Sequence, residues 1–413
     1  MSLTEDNNDA NKTINLTSQC LCKSHTFTTS IQASSLPLPA SYCHCTSCRH
    51  STGALYSSDV DWPGDTSAIR SSSLAVFDFT AKVKILFCST CGTPMFFGSR
   101  WDGPEGDVTI GAFTGTLTTD VEAKDLIKIT DHIFVGDTVD GGASMWLRRP
   151  NGDGTPTKRF KRWQERQGAG SEESEALPDD WPTSPPAVSG NVATEVAVWC
   201  KCRGVDLVLR PDFSSTPTDK LPFFVDPDSK KLLASFDACT SCRSALGVDI
   251  THWTFALLRH IYFPNSSDTL PQTAKELKEA VAKPPGEKDP RLGALACYES
   301  SADVQRYFCS RCSATVFYAC DDRQDMVDIA VGLLDSKAGA RAEDVLSWNL
   351  GGKATWRQDV EGTWREGLFD AVERESEKLR IERGLGVNFA RRRREERERA
   401  EEQAKQKEKE KDA

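Results

Sequence analysis

The chain has 413 residues, 51 Lys and Arg against 61 Asp and Glu, a formal net charge of −10 and a pI near 5.3. That length can bury two or more ordinary cores. The acidic balance argues against a general nucleic-acid binder, whose affinity comes largely from neutralising phosphates with Lys and Arg. No run approaches the ~20 apolar residues that cross a bilayer.

The opening MSLTEDNNDANKTIN is polar and acidic, with no apolar h-region, so the expected setting is intracellular, with no membrane partner. In a reducing cytosol thiols stay reduced, and an odd count of 15 Cys in tight clusters then points to metal rather than disulfides. The sequons at Asn11, Asn15 and Asn265 carry no weight there.

In chain order, residues 1–14 are expected to be disordered. A first domain is expected over 15–165, with Cys20 and Cys22, then YCHCTSCRHSTG from Tyr42 to Gly53, then FCSTCG around Cys88 and Cys91. Residues 166–191, rich in Pro, Ser, Gly and acid, read as a linker. A second domain is expected over 192–370 and repeats the pattern: Cys200 and Cys202, then FDACTSCRSALG, then FCSRCS around Cys309 and Cys312. It carries an insertion at about 264–293 with one short helix, TAKELKEAVA, between prolines. Residues 371–413 form a charged tail whose acids and bases at i, i+4 spacing favour a solvated helix. It has no apolar heptad stripe and is a candidate surface for a protein partner. Its run Arg391 to Arg394 would suit nuclear import, but Glu395, Glu396 and Glu398 neutralise it. Elsewhere stretches such as SLAVFDFTAKVKILF and EVAVWCKCRGVDLVL alternate in the β manner, so the expected fold is mainly β, in small antiparallel sheets pinned by metal.

Each half supplies four cysteines in two pairs: Cys20, Cys22, Cys88 and Cys91, then Cys200, Cys202, Cys309 and Cys312. Four thiolates at ~2.3 Å close a tetrahedron around Zn²⁺ and leave no open position, which suits a structural site. Buried free thiols or disulfides are the alternative. Cys43, Cys45 and Cys48 are three, and a zinc with three protein ligands keeps its fourth position for water or substrate. Three thiolates make a modest activator of water but a good host for another soft ligand, such as a thiol. The competing reading is a closed site whose fourth ligand is His44, His50 or another side chain.

These residues resemble the glutathione-dependent formaldehyde-activating enzyme family, also called the centromere protein V type. The resemblance runs through Cys20 and Cys22, the C-H-C-x-x-C-R-x-x-[ST]-G string from Cys43 to Gly53, Phe87 to Gly92, and the pair His132 and Ile133. It implies Mss4-like, zinc-pinned β domains, a structural zinc on the outer cysteines, and a second zinc on Cys43, Cys45 and Cys48 associated with glutathione. The second half departs from the pattern: Asp237 stands where the first has Cys43, VLSWNLGG replaces the His132 motif, and Ser313 replaces the glycine after the last cysteine. A mixed site of Asp237, Cys239 and Cys242 would be a fourth zinc position. Cys297 and Cys320 have no counterparts and read as packed thiols.

The activity so implied is a carbon–sulfur lyase or synthase of the S-(hydroxymethyl)glutathione synthase type, joining a small thiol such as glutathione to a small aldehyde. Arg49 is the candidate for pairing with a substrate carboxylate, with bracing of its own turn as the alternative. His132 is the candidate proton shuttle or second-layer partner, against a merely structural buried histidine. A non-catalytic zinc-stabilised interaction module is the reading from another class, because function resides in the site rather than the fold.

Overall fold

The structure is a computed structural model that describes residues 12–99, 108–121, 124–163, 175–178, 181–182 and 192–411. Its elements are mainly β, as the alternating patterns require, with helices concentrated at the C-terminal end.

In the first half a sheet of eight strands runs in the order Lys158–Arg159, Ile127–Ile133, Leu38–Cys43, Ser57–Asp61, Thr109–Phe113, Pro94–Ser99, Val83–Phe87, Ala75–Thr80. Beside it lie Thr26–Gln32, Thr13–Gln19 and Leu117–Thr119. In the second half a sheet of seven strands takes the same path: Leu346–Trp348, Leu232–Asp237, Thr251–Leu257, Met326–Ala330, Thr315–Cys320, Val304–Cys309, Leu295–Ser301. Its companion sheet has Asp206–Leu209, Val196–Trp199 and Leu334–Asp335, in the order of the first half's smaller sheet, with Ile261–Tyr262 added at the edge. The sheets are larger than the sequence suggested. Local hairpins account for the strands that hold the cysteine pairs, but long-range pairs such as Asp59 with Phe113 fuse them to the central strands. The expected antiparallel character holds except where Ile127–Ile133 runs parallel to both Leu38–Cys43 and Lys158–Arg159, and Leu232–Asp237 to Leu346–Trp348.

The halves meet about an approximate twofold relation. Gly53 ends the helix Thr46–Thr52 with φ of +85°, and its carbonyl accepts from Gly332 N at 2.9 Å. Gly247 ends the matching helix Thr240–Leu246 with φ of +73°, and its carbonyl accepts from Gly115 N at 3.1 Å. The left-handed backbone suits glycine at the two helix ends. A different cause acts at Gly332 and Gly115, where a Cβ would lie 2.0 Å from Ala54 O and 2.2 Å from Val248 N.

Three expectations change at the boundaries. Of residues 1–14, those up to 11 lie outside the described residues, and Thr13 and Ile14 already belong to the first strand. Most of the expected linker also lies outside them, but Glu175 O and Leu177 N hydrogen-bond the strand edge at Lys161 and Arg159, and Leu177 is buried. The tail does not begin at 371. Helix Arg365–Glu382 crosses that point and buries Leu368, Phe369, Ala371, Val372 and Leu379, an apolar face that the surrounding Glu, Lys and Arg hid in the sequence. The next helix, Phe389–Lys411, starts on buried Phe389 and continues mainly in Arg, Glu and Lys.

The insertion forms the helix Ala274–Ala282, closed by a capping box between Thr273 and Glu276 and seated on Leu277 and Val281. No helix among the described residues is long and apolar enough to cross a membrane.

Candidate metal centres

Four cysteine-rich groups converge, and every one of the 15 thiols is free. In the outer quartet of the first half, Cys22 Sγ lies 3.5 Å from both Cys20 Sγ and Cys88 Sγ, with Cys91 in the same cluster. In the second half Cys202 Sγ is 3.7 Å from Cys200 Sγ and 3.5 Å from Cys309 Sγ, with Cys312 completing the group. A disulfide would bring sulfurs to ~2.0 Å, whereas a tetrahedron with arms of ~2.3 Å has edges of ~3.8 Å. The spacing fits thiolates around one ion. Backbone N–H groups of His25, Gly204 and Val205 point at Cys20, Cys202 and Cys200 and would help carry the negative charge.

The central triad sits where strand Leu38–Cys43 runs into the helix Thr46–Thr52. Cys43 ends the strand, Cys45 caps the helix by accepting from Cys48 N at 3.2 Å, and Cys48 Sγ returns to within 3.5 Å of Cys43 Sγ. Its three sulfurs lie within 4.8 Å of one another. Hydrogen bonding with Cys45 pushes the Cys43 thiol up, and the same contact pulls Cys45 down, so the cluster already favours one thiolate. The donor set fits zinc.

Neither neighbouring histidine joins it. His50 Nδ1 is 2.6 Å from Trp199 O and its ring stacks on Trp199 at 3.5 Å. His44 turns the other way, into the protein, where its Nε2 lies 2.9 Å from His132 Nδ1.

His132 is fully buried, and its Nε2 reaches Leu147 O at 2.9 Å and Thr157 Oγ1 at 2.8 Å. A carbonyl only accepts, so Nε2 carries the proton and Nδ1 accepts from His44 Nε2–H. Burial lowers the His132 pKa to about 3. That corrects the proton-shuttle expectation: a ring neutral at working pH with both nitrogens engaged moves no proton, and what remains is orientation of the His44 segment between two triad cysteines.

Arg49 is corrected as well. It is 5% exposed, its Nη2 donates to Thr46 Oγ1 at 3.3 Å and its buried Nε has no partner among the described residues, so the side-chain bond it makes braces its own turn. Arg243 does the same for Thr240 at 3.0 Å.

In the second half Asp237, Cys239 and Cys242 also converge. Here both carboxylate oxygens are occupied, Oδ1 by Cys239 N at 2.8 Å and Oδ2 by Trp253 Nε1 at 3.1 Å. The buried Arg306 guanidinium reaches Cys242 Sγ at 3.5 Å and Ser241 Oγ at 2.7 Å. The histidine pair is gone: Ala238 N donates to Thr355 O as His44 N donates to Ile133 O, so Ala238 and Ala354 stand in for His44 and His132. The replacement therefore lies just beyond the VLSWNLGG segment. Cys320 is buried, with Arg323 Nε on its sulfur at 3.0 Å, and Cys297 is half-buried opposite Tyr307, both away from the clusters.

One residue had no signal in the sequence. Asp59 is two positions along from Ser57, which pairs directly with Cys43, so its side chain is on the triad's face of the sheet. Its counterpart in the second half is Trp253, the residue that donates to Asp237. Burial, with Asp61 nearby, raises the Asp59 carboxyl from 3.8 to about 6. A Cβ on Gly111 would lie 2.3 Å from Asp59 Oδ2, so glycine there makes room for the carboxylate. Only the register and the repeat reveal it.

Convergent thiol clusters at the turns of a mainly β fold define a class of protein whose cysteine groups could each hold a metal ion. Residues 15–137, under a third of the chain, match the family described as "Glutathione-dependent formaldehyde-activating enzyme". No curated protein and no solved structure matches the chain.

Proposed function

We propose that the chain is a zinc-dependent carbon–sulfur lyase or synthase of the S-(hydroxymethyl)glutathione synthase type, working at Cys43, Cys45 and Cys48. The observation that carries this is the number of ligands: three sulfurs converge, and the flanking histidines face elsewhere, whereas the outer clusters have four. Zinc held there would supply an open position that lowers the pKa of a thiol and fixes its sulfur. Cys20, Cys22, Cys88 and Cys91, and likewise Cys200, Cys202, Cys309 and Cys312, are read as closed structural sites.

The chemistry is an addition. The substrate sulfur bonds to the aldehyde carbon, the carbonyl π pair moves to oxygen, and the proton lost by the thiol ends on that oxygen as a hydroxymethyl thioether forms. The reverse releases the aldehyde. Asp59 is assigned to carry the proton, because its raised carboxyl can both take and return one near neutrality. Two tandem domains, 15–165 and 192–370, are part of the reading, supported by the shared strand order. The second triad is read as a poor thiol host, since Asp237 is a hard, already hydrogen-bonded ligand.

The test is an aldehyde-dependent thiol assay on Cys45→Ser and Cys239→Ser, each first checked for folding and for its outer zincs. Cys45→Ser should abolish turnover and Cys239→Ser should change it by no more than a few-fold. Equal losses would assign work to the second triad. Wild-type protein with full zinc and no turnover would favour the interaction-module reading instead.

A further inference from the structure

We propose that Lys201, supplied by the second half, is the anchor for a carboxylate of the substrate thiol at the first half's triad, so that the centre selects thiols carrying carboxylates. This rests on the reading of Cys43, Cys45 and Cys48 as the thiol-binding centre.

Lys201 lies between Cys200 and Cys202, in the turn that belongs to the second half's outer cluster. That turn docks on the other half's triad helix. Lys201 N donates to His50 O at 2.7 Å, and the stacking of His50 on Trp199 holds the same junction. From there the side chain reaches Ser47 Oγ at 2.7 Å, between Cys45 and Cys48, with its ammonium 5.6 Å from the centre of the Phe79 ring. The backbone of one half thus delivers a cation to the reactive cluster of the other.

The repeat shows what this position is for. Phe79 sits at the bulge of its hairpin, and its counterpart at the matching bulge is Ser300. In the second half Arg306 bonds Ser300 Oγ at 3.1 Å, Ser241 Oγ at 2.7 Å and Cys242 Sγ at 3.5 Å. Ser241 is the counterpart of Ser47, so both triads hold a cation on the same serine. The two cations differ in what they have left to give. Arg306 arises from its own strand, is buried, and has its donors spent inside the protein. Lys201 replaces it from outside, because Ile85 occupies the register of Arg306 in the first half. Lys201 is half-buried, with donors beyond the one used on Ser47, and no Asp or Glu lies within ion-pair range of it among the described residues.

A half-buried ammonium without a carboxylate partner, beside a cluster that would hold a thiol sulfur, fits an anionic group carried on that thiol. Glutathione, with two carboxylates, is of this class. Arg49 is 5% exposed and bonds its own turn, whereas Lys201 reaches the triad helix half-buried, so Lys201 takes the role that the sequence suggested for Arg49. It also explains why a second half with a poorer triad keeps an intact outer cluster: that cluster positions Lys201.

The experiment measures binding, not turnover, by calorimetry on the zinc-loaded full chain, with glutathione and with uncharged 2-mercaptoethanol. Lys201→Met should weaken glutathione about tenfold or more while leaving 2-mercaptoethanol unchanged, and Lys201→Arg should restore most of the loss. Zinc content and melting temperature confirm that each variant is intact. Equal weakening of both thiols would overturn the proposal, since the cation would then serve the sulfur or the fold. Unchanged glutathione affinity in Lys201→Met would overturn it alone. Wild-type protein that binds neither thiol would bring down the centre's assignment, and Lys201 with it.

Discussion

Arg365 Nε donates to Asp249 Oδ1 at 2.9 Å, and both side chains are buried. The same guanidinium donates to Thr114 O at 2.7 Å and Leu117 O at 3.0 Å, while Thr114 Oγ1 donates to Asp249 Oδ2 at 2.6 Å. One arginine at the start of the long helix therefore fastens residues of both halves. Removing one partner of a buried pair leaves the other charge uncompensated, at about 3–5 kcal/mol. Arg365→Ala should lose stability of that order in denaturant unfolding, whereas a loss under ~1 kcal/mol would show the clamp to be incidental.

Truncation should distinguish the two C-terminal helices. Deleting residues from about 396 onward removes a mainly charged stretch whose described side chains, through 404, are exposed, and should leave the melting temperature unchanged. Deleting from Glu382 also takes Phe389 and Asn388, whose Nδ2 reaches Ser347 Oγ at 3.0 Å and Trp348 O at 3.1 Å, together with the Arg383–Glu343 pair. That cut should lower the melting temperature clearly, in contrast to the solvated helix without an apolar stripe that the sequence suggests. Identical curves for the two truncations would refute the division.

Metal content should fall in steps. Two closed clusters and the triad predict at least three zincs per chain, of which the triad's should yield first to a chelator, because closed tetrathiolate sites resist extraction. Cys22→Ser and Cys202→Ser should each lose one tightly held zinc and much stability. Cys202→Ser should in addition weaken glutathione binding at the first triad, since it loosens the turn that carries Lys201. Fewer than two zincs in wild-type protein by elemental analysis would rule the assignment out.

Asp59 predicts a pH signature. A carboxyl raised from 3.8 to about 6 on folding is ionised at a cost in the native state, so its penalty is absent below about 3.8, grows as pH rises, and is complete above about 6. Asp59→Asn should therefore raise the melting temperature at pH 8, and the gain should shrink towards pH 5. The same variant should reduce turnover and remove an activity limb near pH 6. A stability difference that is flat with pH would disprove the raised carboxyl, and full activity in the variant its role in proton transfer.

Gly332→Ala probes the junction of the halves. Its Cβ would meet Ala54 O at 2.0 Å, a backbone atom with no flexible side chain to yield. A cost of about 1–3 kcal/mol is expected from the overpacking, with Gly152→Ala as a control in open space. Equal stability of the two variants would mean that the junction relaxes freely.

The cysteine clusters were legible from the sequence because metal ligation imposes short spacings, C-x-C and C-x-x-C, that local turns satisfy, and because the repeat states the pattern twice. The β class was legible for a similar reason, since period-two alternation is a local property of each strand. What the sequence could not settle depends on contacts between residues far apart. His132 and Arg49 looked reactive by residue type, and only burial, with partners at Leu147, His44 and Thr46, turned them into supports. Asp59 looked like any strand carboxylate until its register placed it on the face of Cys43. The long helix looked solvated because its few apolar residues are scattered among charges, and only its packing shows that they share a buried side. Lys201 is the extreme case: 154 positions separate it from Ser47, and only the docking of one half on the other brings its charge to the triad.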